Sequence, residues 1–163
     1  MGVSQSVFSM VTVAPVGWSA DWAWGLPLIV LTVVIHVFGL GLIGVRVSHV
    51  VSRTVERRHP TAAFVGVLGV TTLLATCLHA IEAGMWAEAY RLLNALPDAK
   101  SAMLYSLNAI TSYGHASLQL KDHWELMGAM ESLNGWLLFG LTTAFLFGMV
   151  EKVWSFEKKA GRH

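Results

Sequence analysis

The sequence is short of charge and of cysteine. Only 13% of its 163 residues are Asp, Glu, Lys or Arg, roughly half the share of about 25% found in soluble domains. Apolar residues make up 55% and the mean hydropathy is +0.57. This balance excludes a disordered chain, which needs high charge and few apolar groups. It also argues against a cytosolic enzyme, because 11 basic and 10 acidic side chains cannot supply the polar surface of a soluble domain of this size. The lone cysteine, Cys77, excludes an intrachain disulfide and a zinc-finger kind of metal site. A net charge of +1 gives no basic excess for nucleic acid. The chain has no H-E-x-x-H, no P-loop and no G-x-S-x-G elbow, and none of its 7 His residues shows metal-ligand spacing with another. The expectation is therefore no catalysis, no small-molecule substrate, no resident cofactor and no metal.

What the chain does have is apolar runs. A spanning helix needs about 20 mostly apolar residues. Three segments qualify: Leu26 to Val51, Thr61 to Met85 and Leu126 to Val150. Between the second and third lies a shorter stretch, Ala99 to Tyr113. It is too short to cross and is of the length of a re-entrant helix shielded by protein. The reading is an all-α membrane protein with membrane lipids as partners.

The basic residues sort to two sides. Arg46, Arg53, Arg57 and Arg58 lie between the first two spans, and Lys152, Lys158, Lys159 and Arg162 follow the third. Only Arg91, Lys100 and Lys121 lie on the other side. The positive-inside rule then puts the linker and tail in the cytoplasm and the N-terminus outside, as expected for a multi-pass protein of the plasma (inner) membrane. Trp18, Trp22 and Trp24 suit an outer aromatic belt and Trp154 the inner one. The first 17 residues carry no basic n-region, and Ser, Thr and Pro15 break their apolar run. They read as an interfacial or loosely ordered outer segment rather than a cleaved signal. The expected layout is 1–25 outer segment, 26–60 first span and basic linker, 61–150 a module of two spans around the short helix, and 151–163 tail.

Gly39, Gly41 and Gly44 match G-x-G-x-x-G, but inside an apolar run rather than after a strand. Close helix packing is the reading. His79 and Glu82 share a helix face in the second span, and Glu131 lies in the third. Ionisable groups in a span are costly and often functional. Each is either a satisfied structural group that locks helices or a carboxylate that tunes a pore or carries protons, and the structural reading is favoured for His79–Glu82. His36, in the first span, reads as a packing or interhelical hydrogen-bonding residue. Trp86 and Tyr90, four apart, read as interfacial anchors.

The order span, short helix, polar turn, span is the informative feature. The turn is Thr111-Ser112-Tyr113-Gly114-His115-Ala116-Ser117. Around it, Tyr105-Ser106-Leu107 before, and Trp124, Glu131, Asn134, Gly135 and Gly140 after, resemble the pore module of bacterial two-transmembrane potassium channels. The upstream LHAIEAGMWAEAY (Leu78–Tyr90) is similar to the outer helix of a branch with an additional N-terminal span. The resemblance covers roughly 61–150. It implies a pore helix at 99–111, a filter at 111–117, an inner helix at 125–150 and a potassium-channel-like homotetramer passing a monovalent cation, potassium or sodium.

The turn departs from the family's Thr-Val-Gly-Tyr-Gly-Asp. Aligned without gaps, that motif falls on Ser112-Tyr113-Gly114-His115-Ala116-Ser117. Alternatively Tyr113-Gly114 matches the family's Tyr-Gly pair, and His115 takes the Asp position. A potassium filter replaces the hydration shell with rings of backbone carbonyls, and Gly adopts the required backbone cheaply. In the ungapped register Ala116 stands for a Gly and Ser117 for the acidic mouth, so high potassium selectivity is not expected. Ser112 keeps the hydroxyl that the family's Thr offers. Four copies of His115 would give a titratable ring or a transition-metal block, or each would pack behind the filter. In the third span Gly135 and Gly140 are candidates for bending, with Thr142 and Thr143 as cavity lining. Small-residue packing is the alternative. The rival readings keep the scaffold but conduct another ion (non-selective cation, proton or anion), or make the chain a non-conducting regulatory subunit.

Overall fold

A computed structural model describes residues 16–54, 60–114 and 118–160. Among these the chain is all-helical: α1 (Val16–Thr54), α2 (Pro60–Leu92), α3 (Ala99–Ile110), a one-turn 3-10 helix (Asp122–Trp124) and α4 (Glu125–Ala160). Three of the helices are long and apolar enough to cross a membrane, over Trp18–His49, Phe64–Leu92 and Glu125–Lys152. About four-fifths of the most apolar window of each is left uncovered, as suits helices whose solvent is lipid. The 39 residues of α1 make about 58 Å, well over a bilayer core of about 30 Å. The basic linker is thus partly an extension of α1, which carries Arg46 and Arg53; Arg57 and Arg58 lie outside the described residues.

Helix α1 begins at Val16, ten residues before the apolar run, and takes in Trp18, Trp22 and Trp24. It also contains Pro27, which lacks an N–H and breaks one rung of the ladder. Of the expected outer segment, residues 1–15 lie outside the described residues. Pro60 is the first residue of α2, where its missing N–H costs nothing.

The corner between α2 and α3 is built locally. Asn94 takes a positive φ of 54° after the last turn of α2. Its N–H donates to the Arg91 carbonyl and that of Ala95 to the Tyr90 carbonyl, a Schellman ending. Asp98 then caps α3, accepting from the Ser101 backbone N–H at 2.9 Å and from its hydroxyl at 2.7 Å. This six-residue corner folds α3 back over the end of α2. The largest core cluster forms there, with Trp86, Tyr90, Ala102, Tyr105, Ala109, Trp124 and Met127 buried together. Tyr90 and Tyr105 meet edge to face, 5.3 Å between centroids, a favourable aromatic geometry. Trp86 and Tyr90 are fully buried and are not interfacial anchors, because α3 covers them.

Farther along the spans the core is thinner. Leu40, Ala75 and Leu78 are buried together, with Phe145 against them. Gly39 and Gly44 face Leu78 and Phe145 closely, the helix-packing role read for that glycine triplet; Gly41 has open space around it.

Candidate functional site

Three features converge where α1, α2, α3 and α4 meet: the turn after α3, a carboxylate beneath α3, and a polar ring midway along the spans.

The turn repeats the Asn94 solution with a different residue. Ser112 has φ 54°. Its N–H donates to the Ala109 carbonyl and that of Tyr113 to the Asn108 carbonyl, each at 2.9 Å. A side chain in this region is strained by about 1–2 kcal/mol. Thr111 Oγ1 donates back to the Leu107 carbonyl at 2.6 Å. Trp136 Nε1 of α4 donates to Ser112 Oγ at 3.0 Å. Gly114 has φ 89°, where a side chain would be strained. Tyr113 is 85% exposed. The turn is thus a capped helix end held to α4, with its last described residues projecting. His115, Ala116 and Ser117 lie outside the described residues.

The end of α3 rests directly on α4. A Cβ on Gly135 would lie 1.9 Å from the Ile110 carbonyl oxygen, so only glycine permits the approach. Ser132 Oγ donates to the Ala109 carbonyl at 2.9 Å. Gly140, by contrast, has open space around it.

Beneath α3 lies Glu131, fully buried. The Tyr90 hydroxyl donates to one carboxyl oxygen at 2.6 Å. The other oxygen meets the Ser106 hydroxyl, which also reaches the Ala83 carbonyl at 2.6 Å. One carboxyl group therefore ties α2, α3 and α4. Beside it, burial pushes the Tyr105 phenol up to about 12. Its hydroxyl stays neutral at any physiological pH.

The polar ring joins α1, α2 and α4. His36 Nδ1 lies 2.9 Å from Glu82 Oε1. His79 Nδ1 lies 3.5 Å from Glu82 Oε2. The Nε2 atoms of both histidines lie 3.0 Å from Thr142 Oγ1. The two imidazoles are tilted against each other, 4.9 Å between centroids. His36 and Glu82 are fully buried and His79 is 27% exposed. Nearby, Asn134 Nδ2 donates to Thr32 Oγ1 at 2.8 Å, a second tie between α4 and α1.

A groove of about 440 Å³ connects the turn to the ring. Thr111, Ser112, Gly135, Trp136, Phe139 and His79 are among its walls.

The sequence-expected residues are therefore sorted. His36 is an interhelical hydrogen-bonding residue, as read. Glu82 pairs more closely with His36 than with its own-helix neighbour His79. Thr142 is buried and bonded to both histidines, while Thr143 is exposed and bonded to its own helix. Spacing gave no metal-ligand pair among the histidines, but His36, His79 and Glu82 bring one ligand atom each within 4.8 Å of the others. The ring crosses from helix to helix, so no local motif could reveal it. Asn134 with Thr32 was also missed; polar residues inside apolar spans were the available signal.

Comparison with known protein families, with curated proteins and with solved structures gives no match.

Proposed function

We propose that the chain is one subunit of a passive ion pore, a potassium-channel-like homotetramer in the plasma (inner) membrane with its N-terminus outside and its C-terminus cytoplasmic. Monovalent cations pass along an axis bordered by the turn that follows α3, from Thr111 to Gly114, and by α4, with α3 as the re-entrant pore helix.

The observation that carries this reading is α3 itself. It has 12 residues, about 18 Å of helix, too little to cross a bilayer. Yet it is capped at both ends and held against α2 and α4. Besides covering Trp86 and Tyr90, a short helix in this place can present its C-terminal turn at a chosen depth. Helix C-termini carry partial negative charge, which favours a cation nearby. Leu104, Tyr113, Trp136 and Leu137 lie uncovered around it, as suits a face completed by further copies.

Details of the turn favour cations without a strong potassium preference. The Thr111 hydroxyl donates to its own helix, and Ser112 Oγ is held by Trp136. Neither supports a ring of free hydroxyls around an axis. Purified protein in liposomes is expected to pass potassium and sodium down their gradients at comparable rates. Folded protein that passes neither, and is monomeric in mild detergent, would replace this reading with the regulatory-subunit one.

A further inference from the structure

With both imidazoles neutral and the carboxylate ionised, the ring of His36, Glu82, His79 and Thr142 is short of one hydrogen. A neutral imidazole has one N–H, a threonine hydroxyl one O–H, and an ionised carboxylate none. Three hydrogens therefore serve four contacts. Three contacts are 2.9–3.0 Å. The fourth, His79 Nδ1 to Glu82 Oε2, is 3.5 Å, and Glu82 Oε2 is buried with no hydrogen-bond partner. In that state a nitrogen lone pair there faces an oxygen lone pair. Such a buried, unpartnered acceptor is expensive, and an added cation, a proton or a metal ion, removes the cost.

We propose that this open edge is a binding site for a divalent transition metal, held by His36 Nδ1, His79 Nδ1 and the Glu82 carboxylate. Two imidazoles and one carboxylate are an established zinc donor set that leaves a fourth position open. Metal bonds of about 2.0–2.1 Å in a tetrahedron set donor atoms about 3.3 Å apart. The Nδ1–carboxylate distances, 2.9 Å to Oε1 and 3.5 Å to Oε2, bracket that value, and the three ligand atoms lie within 4.8 Å of one another. The supporting contacts are in place as well. A ligating histidine donates its other N–H to an acceptor that fixes the ring. Here both Nε2 atoms point at Thr142 Oγ1, whose two lone pairs accept from both. The metal displaces the hydrogen on His36 Nδ1, and that imidazole carries its hydrogen on Nε2 instead. Access is through the groove, which has His79 in its wall. The fourth position takes a water or a small anion. The site joins three spans and does not depend on whether the protein conducts ions.

Titration of the full-length protein with Co2+ in detergent reads the site directly. Tetrahedral Co2+ on two imidazoles and a carboxylate gives intense visible bands, and Zn2+ competes them away. One Co2+ per chain is expected. Glu82→Gln should abolish the bands while the fold, checked by near-UV circular dichroism, persists. His79→Gln, at a part-exposed position, should do the same. Thr142→Val should weaken binding about 10–100-fold, and Thr142→Ser should restore it. His123→Gln, on an exposed residue away from the ring, should change nothing. Folded wild-type protein without visible bands overturns the proposal, and so do bands unchanged in Glu82→Gln.

Discussion

Glu131 and Glu82 are both buried carboxylates inside apolar helices, and they are treated differently. Glu131 has a hydroxyl on each oxygen, from Tyr90 and Ser106. Those partners come from two helices, and aromatic side chains close over them. Glu82 has a partner on one oxygen only, in a thinly packed stretch next to a groove. A carboxyl with a hydroxyl against each oxygen holds helices together and presents no open edge. One with an open edge keeps a place for a ligand. The region around α3 is thus the fixed part of the molecule, and the midspan ring the responsive part.

Substitutions should separate the two. Glu131→Leu leaves the Tyr90 hydroxyl buried without an acceptor and releases α3. A loss of about 3 kcal/mol is expected, read by chemical denaturation in detergent. Gly135→Ala drives a methyl into the Ile110 carbonyl, which as backbone cannot turn aside. Overpacking of this kind costs about 2 kcal/mol, and faster amide exchange in α3 should accompany it. Glu82→Gln should cost less than about 1 kcal/mol in metal-free protein. Its amide accepts from His36 and donates to His79, filling the open edge. If it destabilises as much as Glu131→Leu, the contrast between the two carboxylates fails.

The smallest effect concerns the start of α3. Hydrogen bonds from the Ser101 backbone N–H and hydroxyl hold the Asp98 carboxyl below its ordinary value of 3.8. A carboxyl lowered in the folded state stabilises above its unfolded value, and the contribution goes as pH falls through the folded value. Amide exchange at Ser101 should therefore rise only below about pH 3.8. In Asp98→Asn, which caps without titrating, this acid step should be absent.

The three spans and the short helix were legible because charge is missing from long runs and the 99–113 stretch is too short to cross. The start of α1 was not legible. Ser19, Asp21 and the tryptophans interrupt the hydropathy, yet the helix runs through them. Trp86 and Tyr90 misled because amphipathic aromatics suit a membrane interface as well as a core. Only the Asn94–Asp98 corner, which brings α3 over them, decides between the two. Glu82 was singled out from its cost in a span, but its partners were not. His36 and His79 belong to different helices, and Thr142 to a third. Their meeting is a property of helix packing rather than of spacing.

The central claim is that the α3 turn borders a passive cation path. Single-channel recording in a planar bilayer, with potassium on one side and sodium on the other, tests it most directly. Discrete currents should appear without an energy source and reverse close to zero voltage, since neither cation is strongly preferred. A reversal far toward the potassium equilibrium potential would contradict the weak-selectivity reading. Silence from folded, reconstituted protein would contradict the pore itself.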